Sequence, residues 1–119
     1  MVYTEILNRN SDFLNLYKKG RSIVSKSVVI YVLENGLPYN RFGITAGKKV
    51  GNAVMRNRAK RIIRQAYREN ELLFPIGIDI IFVARKAASE VKSTYLSTYI
   101  KKQAVNDIQA LFVYNEEQK

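Results

Sequence analysis

Apolar and polar positions change rhythm several times along this chain, and each rhythm predicts an element. Residues 1–10 are mixed and irregular, with Leu7 the position best suited to pack inward. Ser11 or Asp12 can cap a short helix that runs through Tyr17–Lys19, and Gly20 suits the residue after its end. From Ser22 to Leu33 the β-branched residues Ile23, Val24, Val28, Val29, Ile30 and Val32 dominate. That run predicts one or two strands, with Tyr31 on the face shared by Val29 and Leu33. Glu34-Asn35-Gly36-Leu37-Pro38 is a turn, Arg41–Thr45 a further strand, and Gly47 and Gly51 bracket a loop. A helix follows from Ala53 or Val54 to near Glu71, closed off by Pro75 and Gly77. Ile78–Ala84 is almost wholly apolar, the pattern of a strand covered on both faces. The last helix runs from Ser93 or Thr94 to Phe112, with Leu96, Ile100, Ala104, Ile108 and Leu111 at helical spacing. Residues 1–6 and 115–119 are expected to be flexible ends of a single domain, 1–119. The order α-β-β-β-α-β-α predicts an α+β fold, an α/β sandwich.

The central helix has two unlike faces. At about 100° per residue, Met55, Ala59, Ile62, Ile63 and Ala66 fall in one wedge, centred near 285° when Arg56 is set to zero. Arg56, Lys60, Arg64, Asn57, Arg68 and Arg61 spread over roughly 0–140° of the same wheel. A solvated helix normally interleaves Glu with Lys at i,i+4. Here Arg56–Lys60, Lys60–Arg64 and Arg64–Arg68 stack like charges, which costs a few tenths of a kcal/mol per pair. A polyanion would offset that cost, and arginine's planar fork suits phosphate and base alike.

Composition sharpens this picture. The 119 residues carry 20 Lys and Arg against 10 Asp and Glu, a formal charge of +10. Nine of those cations lie between Arg41 and Arg68, where there is no acid, so the rest of the chain is nearly neutral. A small domain with so local an excess seeks a polyanion. No apolar run approaches the roughly 18 residues of a spanning helix, and Glu5 and Arg9 stand where a signal peptide would be apolar. The expectation is therefore a cytoplasmic chain without a membrane partner. With no cysteine and no histidine, disulfide scaffolds, zinc sites, thiol nucleophiles and imidazole triads are excluded. The acids Asp12, Asp79, Glu90 and Asp107 are scattered, with no paired-carboxylate motif to hold two metals.

The block from Lys48 to Arg64, KKVGNAVMRNRAKRIIR, resembles the signature of the protein subunit of bacterial ribonuclease P, whose Arg-Asn-Arg element stands here as Arg56-Asn57-Arg58. The likeness extends to Asp12-Phe13, Tyr17 and Gly20 on the first helix, and to Ile80–Ala84 followed by Arg85-Lys86, covering roughly residues 7–112. The resemblance implies a fold similar to a domain of ribosomal protein S5, with a left-handed crossover through the basic helix against the usual hand. It implies that the chemistry, magnesium-dependent removal of the 5′ leader of precursor tRNA, belongs to a large RNA subunit. The partners implied are that RNA subunit and precursor tRNA, with Mg2+ required by the assembled enzyme and no metal or cofactor held by the protein. The oligomeric state is left open.

Two surfaces follow from the resemblance. Lys48, Lys49, Asn52, Arg56, Asn57, Arg58, Lys60, Arg61, Arg64 and Arg68 would bind the RNA subunit. Phe13, Tyr17 and Tyr31, with Arg85 and Lys86, would line a cleft for the single-stranded leader, since aromatic faces stack on any base. Read without the family, Phe13 and Tyr17 at i,i+4 simply anchor a short helix to the core. The chain departs from the family at Val2-Tyr3-Thr4-Glu5-Ile6, where several basic residues are common, and at Tyr17, where phenylalanine is common. Two other classes share the basic helix: a ribosomal or assembly protein that uses it on rRNA, and a stand-alone metal nuclease.

Overall fold

The computed structural model describes the backbone of residues 4–118 and the side chains of residues 4–112. Its elements are β1 (Thr4–Ile6), α1 (Asn10–Lys19), β2 (Arg21–Val24), β3 (Val28–Glu34), β4 (Asn40–Thr45), α2 (Ala53–Asn70), β5 (Ile78–Ala84), α3 (Ser93–Tyr99) and α4 (Val105–Gln118). Short 3-10 turns follow α2 at Glu71–Leu73 and β5 at Lys86–Ser89. The strands form one sheet in the order β1-β4-β5-β3-β2, with β1–β4 and β4–β5 parallel and the other pairs antiparallel.

Strand alternation sends successive residues to opposite faces of this sheet. On one face Val28, Ile30, Val32, Phe42, Ile78, Ile80 and Phe82 meet the buried sides of α2, α3 and α4 in the main core. On the other, Leu7, Leu16 and Ile81 form a smaller core under α1, with Phe13, Tyr31, Leu33 and Val83 packed around it. The α+β sandwich expected from the sequence is therefore present, with the basic helix crossing between the parallel neighbours β4 and β5.

The boundaries differ from the sequence reading where tertiary contacts decide them. Thr4–Ile6, expected to be part of a flexible end, is a strand. Its polar Thr-Glu-Ile run has no strand pattern, and it forms because β4 offers a free edge. It pairs Thr4 to Asn40 through Ile6 to Phe42, and the Leu7 N–H then donates to the Phe42 carbonyl at 2.8 Å. Met1–Tyr3 and Lys119, the remainder of the expected flexible ends, lie outside the described residues. At the other end α4 continues to Gln118, past the predicted stop at Phe112. Helix α1 starts at Asn10, with Arg9 and not Ser11 or Asp12 at its cap. Gly20 does not terminate it in a left-handed turn, since its φ of −75° and ψ of 167° are extended. Close approach explains the glycine instead. A Cβ there would come within 2.5 Å of the Leu16 carbonyl oxygen and 2.9 Å of that of Val32.

The last helix contains a wider π turn at Ile100–Ala104, between α3 and α4. Leu96, Ile100, Ala104 and Ile108 recur every four residues, and in a regular α-helix each would sit about 40° further round than the last. The wider turn takes up that excess, and all four side chains are fully buried.

Tyr67, at about 20° on the same helical wheel and so between Arg56 and Lys60, is the largest fully buried side chain among the described residues. Its ring stacks on Phe42 at 4.1 Å between centroids, and Phe74 and Phe82 lie at 5.1 and 6.2 Å. The hydroxyl meets Thr4 Oγ1 of β1 at 2.9 Å. Burial pushes the phenol up to about 12 from its ordinary 10. An unfolded chain then loses this proton near pH 10 while the folded chain keeps it to about 12, so stability falls as pH rises through that window. Tyr67 should account for roughly 2–3 kcal/mol of alkaline destabilisation. Urea denaturation at pH 9 and pH 11 should show a smaller loss for Tyr67→Phe than for the unsubstituted chain, and equal losses would exclude Tyr67 as the source.

Candidate nucleic-acid interface

The basic block begins in a loop held by its single apolar residue. Val50 is buried, while Lys48 and Lys49, which precede it in the same turn, are exposed. Backbone hydrogen bonds from Val50 to Gly47 and from Gly51 to Lys48 fold the loop tightly. Gly51 has φ +141°, and a Cβ there would meet the Met55 sulfur at 2.5 Å. Asn52 then caps α2, its side-chain oxygen accepting the Met55 N–H at 3.0 Å. Asn52 thus has a structural task in starting the helix that presents the cations.

Along α2 the buried residues are Ala59, Ile63, Ala66, Tyr67 and Asn70. This wedge is rotated roughly 40° from the predicted one, toward Arg56 and Lys60. Arg56 and Lys60 are consequently half-buried, and Met55 and Ile62 only partly covered. Arg56 is also tied down, its Nε donating to the Gly51 carbonyl at 2.9 Å. Asn57, Arg58, Arg61, Arg64 and Arg68 are exposed. Among the described residues, no α2 cation has a carboxylate within ion-pair distance. The one acid of α2, Glu69, is held below its ordinary pKa by hydrogen bonds from Gln65, at 2.8 Å, and from Ser97. It turns toward uncharged partners.

Arg41 leaves the basic set. It forks onto the buried Asp79 through Nε at 2.8 Å and Nη2 at 2.6 Å, with Asp12 at 3.7 Å. Asn35 donates to the same carboxylate at 2.9 Å. The Asp79 hydrogen bonds hold the Arg41 pKa above its already high ordinary value.

The second surface is the sheet face that carries α1. Phe13 packs on the row formed by Gly43, Ile81 and Tyr31, which are in register across three strands. A Cβ at Gly43 would lie 2.7 Å from the tip of the Phe13 ring, so the glycine is the seat of that ring. Tyr17 stands edge-to-face against Tyr31, 5.0 Å between centroids, and remains 38% exposed. Of the three aromatic residues named from the sequence, Tyr17 offers ring surface to solvent and Phe13 serves largely as packing. One row further along, Val29, Val83 and Thr45 continue the floor beyond α1.

That floor opens into a hollow of about 600 Å³ bordered by Lys26, Lys49, Arg85 and Lys86 over Val83 and Ala84. Arg85 is braced there, its Nη1 donating to the Ser25 carbonyl at 2.8 Å. The structure thus joins Lys49, assigned from the sequence to the first surface, with Arg85 and Lys86 of the second. Lys26 was missed. It is a lone lysine between two serines at a turn, and only the pairing of β2 with β3 brings it to this hollow. Among the described residues no three acidic side chains converge to hold a metal ion, and no helix is long and apolar enough to cross a membrane.

Comparison with known proteins agrees with this geometry. The sequence model described as Ribonuclease P matches residues 1–107. The ribonuclease P protein component of Alkaliphilus metalliredigens is 47% identical over 89 residues, 75% of this chain and 78% of the relative. That of Alkaliphilus oremlandii is 42% identical over 105 residues, 84% and 92%. Among solved structures, the RNase P protein of Thermotoga maritima superposes with a TM-score of 0.72 at 32% identity, over 89% of this chain and 96% of that one. The Staphylococcus aureus RNase P protein gives 0.71 at 32%, over 85% and 91%. With a match over most of its length, the same mixed sheet and the cationic helix in place, this chain belongs to the ribonuclease P protein component family.

Proposed function

We propose that the chain binds the catalytic RNA subunit of ribonuclease P through the loop and outer face of α2, and the 5′ leader of precursor tRNA through the sheet face under α1. Together these contacts promote endonucleolytic removal of the leader to give the mature tRNA 5′ end. The observation that carries the reading is the cationic surface of α2, where among the described residues no cation has a carboxylate within ion-pair distance and the like charges repel one another unless a polyanion lies against them. The sheet face supplies what a leader of variable sequence needs: an exposed ring at Tyr17, an apolar floor, and cations at its open end for phosphates.

The protein's own residues do no bond-breaking in this scheme. They bind and orient. Among the described residues the acids are dispersed and do not fit a resident Mg2+, and the magnesium required for hydrolysis is assigned to the RNA. Reconstitution with the cognate RNA subunit at low magnesium should stimulate precursor cleavage. Cleavage by protein and magnesium alone would instead indicate a self-sufficient nuclease. Absence of stimulation, with co-purification on ribosomal subunits, would indicate an rRNA-binding protein.

The salt dependence follows from the surface. With about six to eight cations on phosphates, log K for the RNA subunit should fall against log[salt] with a slope of about −4 to −7. Arg61→Ala or Arg68→Ala should each reduce that slope by about one and leave the melting temperature near its starting value, since both residues are exposed. A slope shallower than about −2 would put most of the block outside the interface.

The aromatic residues separate by role. Tyr17→Ala should lower the ratio of precursor to mature tRNA affinity by about five- to a hundredfold, with a small change in melting. Phe13→Ala removes the ring seated on Gly43 and should lower the melting temperature as well. An unchanged ratio in Tyr17→Ala would remove the leader from this face.

A further inference from the structure

Where β1 ends, no other strand among the described residues pairs with the outer edge of β4. The β1–β4 ladder stops at Ile6 opposite Phe42, closed by the Leu7-to-Phe42 hydrogen bond. Backbone polar groups of a strand alternate between its two neighbours. Ile44, two residues beyond Phe42, therefore directs its N–H and C=O to the same side, past the last residue of β1. A pocket of about 140 Å³ lies here, between the sheet edge and α2. Ile6, Phe42 and Ile44 supply its apolar wall, and Lys60 and Arg64, one turn apart on α2, its rim. Ile6 is 60% exposed although it faces this apolar wall.

This combination is unlike the rest of the cationic surface. A phosphate needs cations but gains nothing from an isoleucine wall. A drug-sized cofactor needs a cavity of about 300–1,000 Å³, so this pocket is too small for one. About 150 Å³ holds a benzene-sized ring, which matches one six-membered heterocycle. The pocket also presents what an unpaired base requires: apolar contact for its face, a strand edge with one donor and one acceptor for its polar rim, and cations for the phosphates attached to it.

We propose that this pocket takes one unpaired nucleobase, extruded from the RNA subunit that α2 binds. The inference rests on the RNA-subunit reading above and deepens it by naming a base-reading site within that interface. Arg64 covers the base with its guanidinium plane, Lys60 meets the adjoining phosphate, and Ile6 and Ile44 flank the ring. Residues near the start of the chain, which carry no basic cluster, thereby contribute an apolar wall to an RNA contact.

The test is binding of Ile6→Gln and Arg64→Lys to the cognate RNA subunit, with base-specific probing by dimethyl sulfate and carbodiimide in the complexes. Ile6→Gln changes no charge and alters an exposed position of a three-residue strand. It should weaken binding about fivefold or more with an unchanged salt slope and melting temperature. One RNA base protected by the unsubstituted chain should become reactive. Arg64→Lys keeps the charge and loses the plane, and should release the same base. If no base changes reactivity in Ile6→Gln, or if Arg64→Lys binds and protects like the unsubstituted chain, the pocket holds no base and the proposal is overturned. Failure of the unsubstituted chain to bind the RNA subunit at all would overturn the ribonuclease P reading itself, a separate and visible result.

Discussion

The stack of Tyr67 on Phe42 fixes where the cationic helix lies, and the remaining features depend on that placement. Helix α2 carries three like-charge i,i+4 pairs, which oppose helix formation by a few tenths of a kcal/mol each. Its buried side has to outweigh this, and Ala59, Ile63 and Ala66 are small or medium in volume. Tyr67 supplies the difference by entering a cluster with Phe42, Phe74 and Phe82. Aromatic pairs contribute about 0.5–1.5 kcal/mol each beyond area burial. The same ring reaches Thr4 through its hydroxyl, so one residue joins the basic helix, the centre of the sheet and its edge strand.

Anchoring through Tyr67 also sets the helix's rotation. The buried wedge turns toward Arg56 and Lys60, which draws both against the protein and leaves Arg61, Arg64 and Arg68 outermost. Arg56 becomes a brace for the preceding loop, and Lys60 comes to lean over the β4 edge. Arg41, which reads in sequence as part of the same basic block, is taken out by the bidentate Asp79. Among the described residues charge is thus sorted in space: in ion pairs at one end of the sheet, and without a carboxylate at ion-pair distance on α2 and at the opposite end, where Lys26, Lys49, Arg85 and Lys86 gather.

The two faces of the sheet divide the work. The α2 side holds the larger core and offers the protein's cationic exterior. The α1 side holds a small core of Leu7, Leu16 and Ile81, and α1 covers only part of its face. Gly43 lets Phe13 lie against the sheet, and the rows beyond it remain open. Lys49 sits where the basic loop meets this open floor, so the two surfaces adjoin.

The sequence by itself determined the elements whose periodicity is local: β5 at Ile78–Ala84, the span of α2 to within a residue, the turn at Asn35-Gly36, and the concentration of charge on one helix face. It determined the family through the block Lys48–Arg64, because loop, cap and cations are contiguous there. Contacts between distant residues decided the rest. Thr4–Ile6 is a strand only because β4 has a vacant edge, and Tyr67 is core only because Phe42 lies opposite it, although on the helical wheel it falls between Arg56 and Lys60. The π turn exists because four core positions at a spacing of four must all face one sheet. Which lysines belong together, Lys26 with Lys49 and Lys86, depends on strand register, and register is a property of pairing that no single stretch of chain contains.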